Sequence, residues 1–400
     1  MGKKGFGFHH LLVLLALPAL GLAGCDDAGN DHALVLWHAW SGSEQAALKG
    51  IIRQFEVSHP GISVTALPVP YNQLRNKFLT AAAANGGPDL VIGNVDWLGE
   101  LHAAQVIRPL THWLTPERRK QLLPTAVAAM AIGSETYAIP ESLESLALYY
   151  NKALLPVAPT SMETLFRAPM PPDVKRLAIR TSFFFTAPWY LGYGGHIFDT
   201  RGQVDMTGPA GTDFLVWMNK LLKSPGVGGK DDYSYMDGLF REGKAAAIIN
   251  GPWALADYQK AMGKNLGLAL LPTMPGGIAA RPFVGLKCLI ANDNTPKSRR
   301  PLVDAFLDTM SLPDSALALS AAGHIPVQPA LSDRLPEAQR VFLAQAGHGE
   351  PLPNLAAMGM VWEPMDKAIA AVTQQGSDPA QTMAETTALI KARTAKGHGS

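Results

Sequence analysis

Ala33-Leu34-Val35-Leu36-Trp37 and, three residues on, Ser41-Gly42-Ser43-Glu44 begin the stretch that decides the fold. A five-residue apolar run suits a strand buried on both faces of a parallel sheet. Ser41 to Glu44 carries the Ser-x-x-Glu spacing of a helix capping box. Ala47, Leu48, Ile51, Ile52 and Phe55 then recur at helical spacing until His59-Pro60-Gly61 stops the helix. Ile62-Ser63-Val64-Thr65-Ala66 alternates as a second strand, and Tyr71, Leu74, Phe78, Leu79 and Ala82 mark a second helix. Gly86-Gly87-Pro88 turns the chain into Asp89-Leu90-Val91-Ile92, a third strand. Strand, helix, strand, helix, strand in this order predicts parallel pairing through right-handed crossovers. Such sheets bind ligands outside the carboxyl ends of their strands. That rule singles out residues 38–44 and 93–97 as one rim.

Working outward, Thr136 to Pro140 and Leu146 to Lys152 read as two strands at a crossing between lobes. Gly and Pro clusters at 193–195 and 224–229 punctuate a helical second half. Residues 281–290 and 303–312 read as a strand and a helix returning to the first lobe, and 366–395 as closing helices. A chain of 400 residues is too long for one ordinary core and natural for two. The expected lobes are 33–142 with 283–328, and 143–282 with 329–400. Basic residues number 34 against 33 acidic, a formal net charge of +1. No one-sided field exists to recruit nucleic acid or a polyanion, so the partner is neutral or has its charge met locally.

The N-terminus has the anatomy of an export signal. Lys3 and Lys4 precede an apolar run from Leu11 to Leu22 that is too short to span a membrane stably. It ends in Leu22-Ala23-Gly24-Cys25, which looks like a bacterial lipobox, with Cys25 as the lipidated first mature residue. The alternative is an ordinary signal peptide with Cys25 incidental. Asp26 and Asp27 resemble a signal for retention at the inner membrane, and 26–32 is a short tether. The expectation is an exported protein on the periplasmic side of the cell membrane, held by its N-terminal lipid only. Of the two cysteines, Cys288 lies in an apolar run and reads as core.

Enzyme signatures are missing. The chain has no Cys-x-x-Cys, His-Glu-x-x-His or Gly-x-Ser-x-Gly, so no metal, cofactor or catalytic residue is expected. Gly238 to Ala245 has the Gly and Lys spacing of a phosphate loop, but Ala245 replaces the hydroxyl that holds magnesium. It reads instead as a helix ending at Gly243.

An ordered series of motifs carries a specific resemblance. Leu36-Trp37-His38-Ala39-Trp40-Ser41-Gly42 comes first, then Gly87-Pro88-Asp89-Leu90-Val91-Ile92 with Val95-Asp96-Trp97. Glu144 to Lys152 and Leu154-Leu155-Pro156 follow, then Asp232-Tyr233-Ser234, Phe240 to Lys244 and Ile249-Asn250-Gly251-Pro252-Trp253. Leu271-Pro272, Pro282-Phe283-Val284-Gly285, Pro353-Asn354 and Met358 to Trp362 complete it. In this order and spacing the chain resembles the maltose/maltodextrin-binding protein family of extracellular solute-binding proteins. The resemblance implies the type II periplasmic-binding-protein fold, with α/β lobes joined by hinge crossings and a sugar held in the cleft between them. It also implies delivery of that sugar to the transmembrane subunits of an ABC permease by a monomer. Carried over position by position, Asp96 matches a sugar-hydroxyl acceptor and Glu144 a carboxylate at the lobe crossing. Tyr233 matches a polar aromatic, Trp253 and Trp362 the aromatic plates, and Phe184 a further aromatic contact. The chain departs from the maltose binder at Trp97 in place of an arginine and Ser182 in place of a glutamate. Ala39 and Ser41 replace an Asn and an Asp.

A sugar offers apolar C–H faces and a rim of hydroxyls, so its pocket needs aromatic plates with carboxylates and amides in the ring plane. Most of the eight tryptophans fall at element ends, where plates belong. Rim position adds His38, Trp40, Ser41, Glu44 and Trp97, and Glu363 sits beside Trp362. Each has a plainer alternative. Asp96 could cap a helix, Glu44 could only complete the capping box, and His38 and Trp40 could be loop packing. Glu144 could pair across the hinge, and Glu363 could face solvent. Trp37 reads as core. The function expected is capture of a neutral mono- or oligosaccharide, such as maltose, maltodextrin or trehalose, with lobe closure and no catalysis. The rivals are a glycoside hydrolase using Asp96 and Glu144, and a binder of an anionic, glycerol-phosphate-type solute.

Overall fold

The computed structural model describes residues 1–2 and 31–397. The signal peptide and Cys25 of the expected lipobox lie outside the described residues. In chain order the strands are β1 (Ala33–His38), β2 (Ser63–Pro68), β3 (Leu90–Asn94), β4 (Ala131–Ile132), β5 (Glu135–Thr136), β6 (Ala138–Glu144) and β7 (Ala147–Asn151). They continue as β8 (Lys175–Arg180), β9 (Val227–Lys230), β10 (Ala245–Asn250), β11 (Leu266–Ala269), β12 (Phe283–Ala291), β13 (Ile325–Pro326) and β14 (Glu350–Pro351). Two large sheets result. The first has the order β13-β6-β12-β3-β1-β2, with β14 beside β12, and the second β11-β7-β10-β8-β9.

The opening of the chain folds as its periodicity demands. β1 pairs in parallel with both β2 and β3, and the helices Gly42–Ser58 and Tyr71–Ala83 make the crossovers. β12 then runs antiparallel between β3 and β6 after the chain has built the second sheet. Cys288 lies in it, fully buried. In the second sheet β8 is parallel to β9 and β10, whereas β7 and β11 are antiparallel additions. β6 and β7 are joined by Ser145 and Leu146 alone, both fully buried, so the crossing between sheets is tight.

Details differ from the sequence reading. The expected boundary at 142/143 falls inside β6, and Glu350–Pro351 extends the first sheet from within the C-terminal stretch. No capping box forms: Ser41 has extended backbone but makes no side-chain cap. Glu44 is drawn to His324 instead, with Oε1 3.0 Å from Nε2. A buried carboxylate gains more from an imidazolium than from one backbone amide. Trp37 packs against the core but is only half-buried, with the Lys77 ammonium 5.0 Å from its ring centre. The supposed phosphate loop is a helix, Tyr233–Arg241, followed by Gly243 at φ +69°.

Candidate functional site

The site lies where strand ends of the two sheets face each other. In the first lobe β3 ends at Gly93-Asn94 and a 3-10 turn, Val95–Trp97, follows at once. A Cβ on Gly93 would lie 2.6 Å from the Trp97 ring, so only glycine lets that indole fold back over the strand. In the second lobe β10 ends at Asn250, and Gly251 leads into the 3-10 turn Pro252–Ala254. There a Cβ on Gly251 would meet the Trp253 ring at 2.0 Å. The same device presents an indole from each lobe.

Between the lobes is a pocket. Tyr71, Arg75, Asn94, Asp96 and Trp97 form one wall, and Arg180, Ser182, Phe184, Phe185, Trp362 and Asp366 the other. Asp96 is central. Its Oδ2 accepts a hydrogen bond from Trp362 Nε1 at 3.1 Å, while Oδ1 is buried with no partner among the described residues. Burial raises its pKa to about 6, with Arg75 opposing. Phe184 stands 6.3 Å from Trp362 and 6.4 Å from Trp253, ring centre to ring centre. Trp253 Nε1 donates to Tyr233 Oη at 3.1 Å, and Asn250 Nδ2 donates to the same oxygen at 3.2 Å. On the second wall Asp366 accepts from the Phe183 amide at 2.6 Å, and burial raises its pKa to about 6.

A polar chain runs behind the first wall. Glu144 pairs with Lys287 at 3.3 Å, and Lys287 Nζ donates to Asn94 Oδ1 at 2.8 Å. Asn94 Nδ2 in turn donates to Tyr71 Oη at 2.8 Å. Burial pushes Glu144 up and Lys287 works against that shift. Deeper in the lobe His324 bridges Glu141, at 2.9 Å, and Glu44, at 3.0 Å. Burial alone would lower its pKa, but the two carboxylates raise it to about 10. Its ring is therefore a fixed cation at neutral pH.

The residues singled out by sequence divide accordingly. Asp96, Trp97, Phe184 and Trp362 line the pocket, and Trp253 and Tyr233 continue its aromatic wall. Glu144 reaches it only through Lys287 and Asn94, and its pair with Lys287 lies within the first sheet, between β6 and β12, rather than across the hinge. The helix Leu98–Ala103 that begins after Trp97 has no side-chain cap, so Asp96 is not spent as one. His38, Trp40 and Glu44 do not line it. His38 is buried and its Nδ1 accepts from the Trp40 amide at 3.1 Å. Trp40 is buried edge-on against His324, 4.8 Å away. Ser41 is exposed. Glu363 faces solvent, paired with Lys367 and, at 2.9 Å, Arg393. Sequence reading missed Tyr71, Arg75, Asn94, Arg180 and Asp366. Asn94 adjoins Asp96 on the rim and so was within reach; Tyr71 passed as an apolar helix position. Among the described residues no group of His, Cys, Asp and Glu could hold a metal ion, and no helix is long and apolar enough to cross a membrane.

Comparison with known proteins places this geometry in context. A family model described as bacterial extracellular solute-binding protein matches residues 50–340. The maltodextrin-binding protein MdxE of Bacillus subtilis is 26% identical over 90% of each chain. A galactooligosaccharide-binding protein of the same organism is 25% identical, over 97% of this chain and 96% of its own. The solved maltotriose binding protein of Thermus thermophilus, bound with maltotriose, superimposes with a TM-score of 0.82 at 27% identity. That likeness covers 90% of this chain and all of the solved one, and both have the two-lobed type II fold.

Proposed function

The chain belongs to the bacterial extracellular solute-binding proteins, and on that premise we propose that it captures a neutral oligosaccharide of the maltodextrin type between its lobes and hands it to an ABC permease. One observation carries the reading. Asp96, a buried carboxylate with one oxygen lacking a partner, lines a pocket that Trp362 and Phe184 line as well. A sugar ring supplies what both lack, a hydroxyl for the carboxylate and a C–H face for the aromatic rings. Asp96, Trp97, Phe184, Trp253 and Trp362 are the proposed direct contacts, and Tyr233 and Glu144 hold their neighbours in place. Lobes of residues 33–142 with 283–328 and 143–282 with 329–400, adjusted for the ends of β6 and β14, close on the ligand. The mature protein acts as a monomer outside the cell membrane, anchored through lipid at Cys25, and catalyses no reaction.

Arg75 and Arg180 favour a second reading, an anionic solute, because both guanidinium groups line the pocket. Each already has a carboxylate: Arg75 pairs with Glu100 at 3.2 Å and Arg180 with Asp231 at 2.9 Å. Asp96 and Asp366 further offset their charge. A neutral ligand is thus preferred. Titration calorimetry of the full chain with maltotriose, a galactotriose and glycerol 3-phosphate separates these readings. Saturable maltotriose or galactotriose binding without release of new reducing ends is expected. Binding of the phosphate ester alone, or sustained hydrolysis, defeats the proposal.

A further inference from the structure

The helix Gly42–Ser58 of the first lobe begins without a cap of its own. A helix start exposes amide N–H groups and a partial positive charge that favour an anion. The anion present is Asp257, which belongs to the other lobe, on the helix Leu255–Met262. Its Oδ1 accepts a hydrogen bond from Ser43 Oγ at 3.1 Å. Its Oδ2 lies 3.0 Å from where a Cβ on Gly42 would stand, and Gly42 has φ +51°. Arg241 holds the same carboxylate at 3.4 Å and is itself tied to Asp237 at 3.0 Å. Beside this contact the lobes touch again. A Cβ on Gly323, at φ +110°, would lie 2.3 Å from the Pro252 carbonyl oxygen. None of these residues lines the ligand pocket.

We propose that Asp257 is a closing latch, a carboxylate brought from the second lobe against the open start of the Gly42–Ser58 helix and held there by the Ser43 hydroxyl. This rests on the reading of the chain as a two-lobed clamp. The contact exists only while the lobes are together, so it biases the open–closed equilibrium toward the closed form with or without ligand. Gly42 is required twice, for its left-handed backbone and for the space the carboxylate fills. Asp257 acts on affinity through lobe position rather than through contact with the sugar, and is a positioning residue.

The test uses the full chain with maltotriose as probe, followed by stopped-flow tryptophan fluorescence, and small-angle scattering of the unliganded protein. Asp257→Asn and Ser43→Ala are compared with the parent. Replacing the charged acceptor by a neutral amide weakens that hydrogen bond and the attraction to the helix start, and should speed sugar release on the order of tenfold in Asp257→Asn. Ser43→Ala should show a smaller increase, with association unchanged in both. Ser43→Ala removes only a hydroxyl, which guards against a folding defect in the other variant. Faster release, or expansion of the unliganded variant, supports the latch; unchanged release together with superimposable scattering overturns it. A parent chain that binds no sugar defeats the proposed function instead, and scattering alone then decides the latch by the same criterion.

Discussion

Asp96 is held in a state that the folded protein resists. Its carboxyl is nearly buried, one oxygen has no partner, and its pKa stands at about 6 instead of 3.8. The protonated form is favoured by the fold, so between pH 3.8 and about 6 the folded state binds more protons than the unfolded one. Stability from this group is therefore present at low pH and is lost as pH rises through that window. The shift converts to roughly 3 kcal/mol as an upper bound. Asp96→Asn should raise the melting temperature of the unliganded chain at pH 7 and flatten its fall between pH 4 and 6. The same variant should bind sugar at least about tenfold more weakly, since a hydrogen bond to a charged group is lost. Thermal melts across that pH range, paired with calorimetry, check both halves. A variant that melts lower at pH 7 would falsify the strained-carboxylate account. Such strain at a proposed binding residue is the usual trade of stability for function.

At the scale of elements, each lobe presents its indole by one construction, a glycine at the end of a strand or just beyond it and a 3-10 turn close behind. Gly93 under Trp97 and Gly251 under Trp253 leave no room for a methyl group. Gly251→Ala should displace the Trp253 ring from Phe184 and Tyr233, costing about 1 to 3 kcal/mol as overpacking does. Sugar affinity should fall with it. Gly238, inside the helix Tyr233–Arg241, has nothing within 4 Å of its Cβ position. Gly238→Ala should therefore stabilise by about 1 kcal/mol through helix propensity alone. Chemical denaturation of the two variants should move in opposite directions; movement in the same direction rules out the steric argument. These turns also show what a sequence reveals. The parallel strands of residues 33–94 announce themselves through apolar runs and stops, and the carboxyl-end rule then leads to Asp96 and Trp97. Capping is less legible. Ser41 and Glu44 have the spacing of a box, yet Glu44 goes to His324, 280 residues away. Arg180 and Asp366 enter the pocket because β8 and the helix Trp362–Gln375 meet in space, which no local pattern reports. Glu363 beside Trp362 looks equally eligible and points the other way, since neighbours on a helix face directions about 100° apart.

For the whole molecule the crossing between lobes starts from a buried ion pair. Glu144 ends β6 just before the two-residue link to β7, and its partner Lys287 comes from β12 of the first sheet. Both side chains are largely buried, 8% and 13% exposed, so removing one charge strands the other. Lys287→Met should cost about 3 to 5 kcal/mol, and adding Glu144→Gln should restore much of it. Denaturant midpoints of the single and double variants provide the check, and strict additivity argues against coupling. The double variant also loses the 2.8 Å bond from Lys287 to Asn94, which lines the pocket, so its sugar affinity should fall as well. If the lobes close about this crossing, a sugar bridging Asp96 on one wall and Trp362 on the other binds the closed form better and shifts the population toward it. Small-angle scattering of the parent and the double variant should then show a smaller radius of gyration with saturating maltotriose than without. Profiles that superimpose at saturation would mean that the two walls are already set in place, and that capture needs no movement of one lobe against the other.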